Sequence, residues 1–369
     1  MKSSARILNV LETVSIVGSA DTGMADRSDP SKSPSLLGHL EQFGYQLTSN
    51  PNGRFLISFN HDARSYRRFV KNGGNVASAV LIRLEPDAVF PSQYESRIEK
   101  KYGLIISPGS RIDYLDKSFF VGWPYQFHLN PAKPERSDPT LQSILVNPDF
   151  DKRFNLENWL QRPTNIVMIA GNKVSPTKSA NYKLRRNLVR YLPPGFIKVY
   201  GSLWDDSLKT KLGYRFWLAV FSIKNGYFPN LKGIYGNLLR NYPEVQGVVG
   251  DKHHLLQQSK FSLVIENSNS FVSEKIFDSI LNGAIPVYVG PNLHDVGLPI
   301  ELGIMSSGDF KAIISELDNF DNDKASAILT QMKHFIRGQH FRENWTSEFV
   351  WDKVSREIHS YFTKLRSCS

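Results

Sequence analysis

Three segments of this sequence carry side chains able to handle a small, charged, hydroxylated molecule. The densest is Phe261 to Gly290, FSLVIENSNSFVSEKIFDSILNGAIPVYVG. An apolar run ends at Glu266, a polar loop covers Asn267 to Ser270, and Ser273 stands where a helix N-cap belongs. Glu274 and Lys275 then fall in the first helical turn. A helix N-terminus offers free backbone N–H groups and about half a positive charge. Lys275 adds a full charge, so an anion such as a pyrophosphate suits the place. Glu274 can accept hydrogen bonds from sugar hydroxyls. A capped helix with a surface Glu–Lys pair fits the same spacing. The second segment is the basic run from Lys178 to Arg190. Within it Arg185 could fork onto two phosphate oxygens, or be one solvated charge among Lys183, Arg186 and Arg190. The third is Leu81 to Pro86, where Glu85 ends an apolar run at a turn enforced by Pro86.

These groups need rigid elements to hold them. Phe55 to Phe59, Ala79 to Leu84, Leu104 to Ser107, Asn165 to Ala170, Phe196 to Tyr200, Phe261 to Glu266 and Ala284 to Val289 are nearly continuous apolar runs. Such runs are typical of parallel strands covered on both faces. Amphipathic stretches lie between them, which predicts an α/β architecture. Ile276, Phe277, Ile280 and Leu281 form the apolar stripe of a helix that ends at Asn282-Gly283. Phe261 to Gly290 is thus a βαβ unit, and ligands of such units sit beyond the carboxyl ends of the strands.

Length and composition fit a folded chain of two domains: 369 residues, 41% hydrophobic and 22% charged. Cys368 is the sole cysteine, so no intrachain disulfide forms. The apolar run Ile7 to Val10 is too short for a signal-peptide core, and no run of about 18 apolar residues occurs. A cytoplasmic protein is expected. The net charge of +10 points to an anionic partner: a nucleotide-sugar pyrophosphate, an acidic membrane surface or nucleic acid. The basic residues are dispersed, and zinc-finger spacing and RNA-binding aromatics are absent from the sequence, which excludes nucleic acid from the expectation.

The segment from Lys260 to Gly290 resembles the donor-binding signature of the α-1,3-fucosyltransferase family. The match runs through Lys260, Phe261, Leu263, Glu266, Asn267 and Ser268. It continues through Ser273, Glu274, Lys275, Gly283, Ile285, Pro286, Val287 and Gly290. The loop is about two residues shorter than in animal members, Phe271 stands at a usual Tyr, and Ser273 stands for Thr. Ala180 to Arg185 is similar to the family's Arg-bearing helix start, and Leu84-Glu85-Pro86 to the segment carrying its proposed general base. Arg185, Glu266, Asn267, Ser273, Glu274 and Lys275 are then implied as donor-binding, Glu85 as catalytic, and Trp123 and Tyr125 as walls of an acceptor site. The resemblance implies a GT-B arrangement, two Rossmann-like domains facing a cleft. It implies inverting transfer of L-fucose from GDP-β-L-fucose to a glycan hydroxyl, with no metal and no cofactor. Another nucleotide sugar is the nearest alternative, and a non-catalytic glycan- or polyanion-binding protein the next.

The expected layout is a flexible lead-in over 1–35, an acceptor domain over 36–160, a donor domain over 161–340 and a C-terminal helix over 341–369. Peripheral contact with an acidic membrane at its inner face accords with the charge. Asp321-Asn322-Asp323 has the spacing of a D-x-D metal motif but reads as a helix start, and Asp205-Asp206 as a turn. His253 and His254 are adjacent, not spaced as paired ligands on one helix face.

Overall fold

The computed structural model describes residues 12–18, 36–108, 118–122, 125, 141–178, 180–204, 206–224, 226–235, 242 and 245–367. Among them eleven strands form two sheets. The first holds β1 (Thr13–Gly18), β2 (Gln46–Thr48), β3 (Phe55–Phe59), β4 (Ala79–Ile82), β5 (Leu104–Pro108) and β6 (Ser118–Val121), in the order β2-β1-β3-β4-β5-β6. The second holds β7 (Thr164–Ile169), β8 (Lys198–Tyr200), β9 (Ser259–Ile265), β10 (Ile285–Val289) and β11 (Ile304–Met305), in the order β11-β10-β9-β7-β8. Every pairing is parallel. In β3, β4, β5 and β10 every residue is buried, as expected where helices cover both faces.

Each sheet winds first to one side and then back past its first strand. The reversal falls between β1 and β3 in one sheet and between β7 and β9 in the other. A crevice opens at the carboxyl ends of the strands at such a reversal, and ligands of doubly wound sheets bind there. All seven strands expected from the sequence are present, with ends shifted by a few residues.

Three layout expectations change. Residues 13–18 do not belong to a flexible lead-in. They form β1, inside the first sheet between β2 and β3, with Val14, Ser15, Ile16 and Val17 buried. Two polar residues that disguise this strand have partners far along the chain. Glu12 pairs with Arg54 at 2.6 Å and with Arg366, and Ser15 Oγ donates to Asn50 O and accepts from Gly53 N–H. The rest of the lead-in, residues 1–11 and 19–35, lies outside the described residues.

The boundary also lies earlier than 160. Leu141, Phe150, Phe154 and Trp159 pack in the core of the second sheet. Arg162, next to the expected boundary, is buried and donates to the carbonyls of Ser259, Gly283 and Arg153. The C-terminal helix over 341–369 is two helices. Gln339–Trp345 belongs to the second core, the chain extends at Thr346, and Ser347–Ser367 crosses back to cover the first sheet with Val350, Val354, Ile358 and Phe362.

Candidate active-site cleft

Beyond the carboxyl ends of β7 and β9, a cavity of about 580 Å³ lies between the two sheets. Its walls include Glu85, Arg185, Asn267, Ser273, Glu274, Lys275 and Tyr125. Every described residue of the sequence-derived site except Glu266 therefore borders one space. Trp123 lies outside the described residues.

The second-domain wall is built by β9 and the helix Glu274–Leu281. Ile276, Phe277, Ile280 and Leu281 bury this helix against the sheet core. Gly283 turns the chain into β10 at φ 67°, and a Cβ there would fall 2.2 Å from Arg153 O. Ser273 is the N-cap residue, but its hydroxyl caps no first-turn N–H. It donates instead to Glu266 Oε2 at 2.6 Å and accepts from Lys275 Nζ at 2.7 Å. Glu266 Oε1 accepts the Ser273 N–H at 3.0 Å. The N-cap hydroxyl thus caps no first-turn N–H, the Glu274 N–H bonds its own carboxylate, and the positive end of the helix lies at the edge of the cavity.

Glu266 sits behind this wall, fully buried, and its role is to hold Ser273 and Lys275. Burial raises its pKa, opposed by Lys275 at 3.6 Å and the bonds from Ser273. Glu274 points the other way, with 43% of its side chain exposed. Partial desolvation between the cleft walls works to raise its pKa, but Lys275, Lys252, the bond from its own N–H and Lys173 outweigh that and bring it below the ordinary value.

Arg185 projects from the helix Tyr182–Tyr191 and is no solvated charge. Its guanidinium donates to Gly171 O at 3.1 Å, Ile265 O at 2.8 Å and Asn267 Oδ1 at 3.3 Å, clasping the ends of β7 and β9. The Tyr182 ring lies 5.1 Å below it. Burial lowers its pKa, with Tyr182, Glu266 and Glu274 opposing. Asn181 fastens the same loops, its N–H to Asn267 O and its amide to Asn269 Oδ1.

Glu85 stands on the opposite wall, just past β4. Its backbone is pinned on both sides. Asn60 Oδ1 accepts the N–H of Leu84 and of Glu85, and Gln93 and Tyr94 donate to Glu85 O. Beneath it Arg83 is buried, paired with Glu99 at 2.7 Å and packed on the Tyr94 ring. Burial raises the Glu85 pKa, Glu274 adds to the rise, and Lys173 and Lys275 oppose it. Two direct bonds join the walls: Ser270 Oγ to Asp87 Oδ1 at 3.0 Å and Ser175 Oγ to Ala88 O at 2.6 Å.

Tyr125 is almost fully buried and stands on the second-domain side of the cavity. Its hydroxyl donates to Asp278 Oδ1 at 2.6 Å, and Lys252 Nζ lies 2.7 Å from Asp278 Oδ2. Lys173, Lys252 and Asp278 are wall residues that the sequence reading missed. Lys173 was findable, because Gly171 follows β7 as the polar loop follows β9. Lys252 and Asp278 carry no local signal. Asp321 caps the next helix through Lys324 N–H, and Asp206 accepts Leu203 N–H in a turn, as their spacing suggested. Among the described residues no group of three or more His, Cys, Asp and Glu could hold a metal ion.

No family model matches the chain, and no curated protein matches it. Solved structures do. The Anabaena protein Alr3699/HepE in complex with UDP-glucose is 9% identical with a TM-score of 0.51, over 96% of this chain and 100% of that one. An α1,3-fucosyltransferase is 15% identical with a TM-score of 0.44, over 98% of this chain and 92% of that one. A glycosyltransferase from Rickettsia africae is 10% identical with a TM-score of 0.45, over 96% and 99%. The likeness is one of fold: two facing domains with parallel sheets, the GT-B arrangement.

Proposed function

We propose that this chain is an inverting glycosyltransferase of the α-1,3-fucosyl type, moving L-fucose from GDP-β-L-fucose to a glycan hydroxyl. One observation carries the reading. Glu85, a carboxylate with a raised pKa, faces Lys173, Lys275 and a helix N-terminus across one cleft. Glu85 removes the proton of the acceptor hydroxyl as its oxygen bonds to C1 of the sugar. The C1–O bond to the diphosphate breaks on the opposite face, and GDP departs with the electron pair. Lys275, Lys173 and the helix end neutralise the charge that grows on the leaving oxygen. Arg185 orients the β7 and β9 loops and adds its charge behind them. Glu274, kept ionised, accepts hydrogen bonds from the donor sugar. Peripheral contact with an acidic membrane surface, on the cytoplasmic side, fits the net charge of +10.

A second reading keeps the mechanism and changes the donor. Phe271 on the cavity wall offers no hydroxyl where the resemblance has a tyrosine. A panel of nucleotide sugars, assayed for acceptor-dependent release of free nucleotide, separates the two. GDP is expected to raise the unfolding temperature more than UDP, ADP or CMP. At a hundredfold excess over Kd it adds about 2.7 kcal/mol. A larger shift with UDP would sink the fucosyl assignment and leave the transferase.

A further inference from the structure

The helices Leu208–Lys224 and Leu231–Tyr235 pack together on the second domain, with Leu218, Ala219 and Ile234 gathered around Val174. Their outer side is apolar. Phe216 is 66% exposed, Trp217 55%, Ile223 57%, Phe228 92% and Leu231 56%. Single exposed apolar residues are ordinary, but a run of large ones on one small unit marks a contact surface. Leu212, Phe216 and Ile223 are spaced by four and seven residues, which sets them on one face of their helix.

The charge on this unit is one-sided. Residues 207–235 of the sequence hold five Lys and Arg and no Asp or Glu, although about one residue in ten of the chain is acidic. Lys209, Lys224 and Lys232 are exposed beside the apolar side chains. Aromatic and aliphatic groups flanked by lysines, with no carboxylate, are the composition that settles into the headgroup layer of an anionic bilayer. A second copy of the chain would set lysine against lysine on this face. No helix among the described residues is long and apolar enough to cross a membrane, so the contact is one of surface.

We propose that this face docks on a bilayer containing anionic lipid, with Phe216, Trp217 and Phe228 entering the interface and the three lysines meeting phosphate. The unit sits at the rim of the cleft on the Glu85 side. Asn230 N–H bonds Pro176 O at 3.0 Å, the Phe221 ring meets Phe90 at 5.3 Å, and Arg97 donates to Gly226 O. Docking therefore brings that side of the cleft toward the bilayer. The proposal rests on the surface alone and stands or falls apart from the choice of donor.

The test is co-sedimentation of the full chain with vesicles at near-physiological salt. One set is phosphatidylcholine alone, the other roughly three parts phosphatidylcholine to one of phosphatidylglycerol. The chain is expected to pellet with the second set only. F216S/F228S, and separately K209E/K224E/K232E, should each lower the bound fraction about fivefold or more. All five positions are exposed, and circular dichroism checks each fold. A wild-type chain that stays in the supernatant with the anionic vesicles overturns the proposal, as does unchanged pelleting of both variants. So does a wild-type dimer in light scattering that F216S/F228S converts to monomer, because the face would then be covered by a second copy.

Discussion

Glu85 and Glu274 border the same cavity with pKa values displaced in opposite directions, Glu85 up and Glu274 down. Carboxylates pushed apart by their surroundings commonly divide the work of a site, one moving protons and the other staying charged. Glu85→Gln keeps size and reach but removes the basic oxygen. Nucleotide affinity should barely change, because the wall proposed to hold the donor belongs to the other domain. Acceptor-dependent turnover should fall by about 10²–10⁴-fold, the ordinary worth of a general base. Near wild-type turnover, with GDP titration and circular dichroism normal, would remove Glu85 from the mechanism and weaken the enzyme reading with it. The pH dependence has a definite sign. Glu85 must be ionised to act, so kcat/KM should fall on the acid side at a pH above the usual carboxylate range. Glu274→Gln removes a negative charge that raises the Glu85 pKa, and should move that limb to lower pH. Lys173→Ala removes a charge that lowers it, and should move the limb up. Limbs that stay put in both variants would show that another group sets the profile.

At the level of elements, the βαβ unit around Ser273 was legible because a buried strand, a polar loop, an N-cap residue and an Asn-Gly stop follow one another without a gap. What stayed hidden was the direction each side chain takes. Glu266 and Glu274 look alike in sequence as carboxylates flanking one loop. The first is buried and bonded to Ser273, and the second is exposed in the cleft. Strand β1 was hidden for a related reason: Glu12 and Ser15 are satisfied by partners more than thirty residues away, which no local pattern records. The Glu266 arrangement makes a prediction of its own. Glu266→Ala leaves the Ser273 N–H and hydroxyl without their acceptor inside the wall, and Lys275 without its buried counter-charge. Losing one partner of a buried charged pair costs about 3–5 kcal/mol. The variant should unfold several degrees lower and bind nucleotide weakly. Lys275→Ala, in contrast, removes a charge that the proposed mechanism sets against the leaving group, and should lower kcat more than it raises KM. An unshifted melting curve for the Glu266→Ala variant would contradict the supporting role. Unchanged kinetics in a folded Lys275→Ala variant would leave Lys275 as a partner of Glu266 and nothing more.

For the whole molecule, the sequence pattern foretold two α/β halves but not how the chain is shared between them. The spacing of Val350, Val354, Ile358 and Phe362 says that one helix face is buried, and it cannot say against which sheet. The face covers the first sheet, although the chain has just left the second. This return, with the Ser270–Asp87 and Ser175–Ala88 bonds, ties the walls of the cleft to one another. The cleft sets four cations against three carboxylates, Glu85, Glu274 and Asp278. Arg185, Lys173, Lys252 and Lys275 border it, on a chain of net charge +10. Four fixed cations near a diphosphate can do electrostatically what a divalent ion does elsewhere, stabilising negative charge as it grows on the leaving oxygen. Two consequences follow from that charge. Raising salt from low ionic strength should lower kcat/KM for the donor, because screening weakens attraction between an anionic ligand and a basic cleft over a Debye length of about 10 Å at 0.1 M. The same salt should affect kcat less, since the cations within the cavity are screened little. Turnover should also continue in EDTA at the rate seen without it. The measurement is initial rate after dialysis against chelator, followed by addition of Mn²⁺ or Mg²⁺. Complete loss in EDTA, restored by either ion, would mean that these cations do not suffice, and a metal-assisted departure of the nucleotide would take the place of the mechanism proposed.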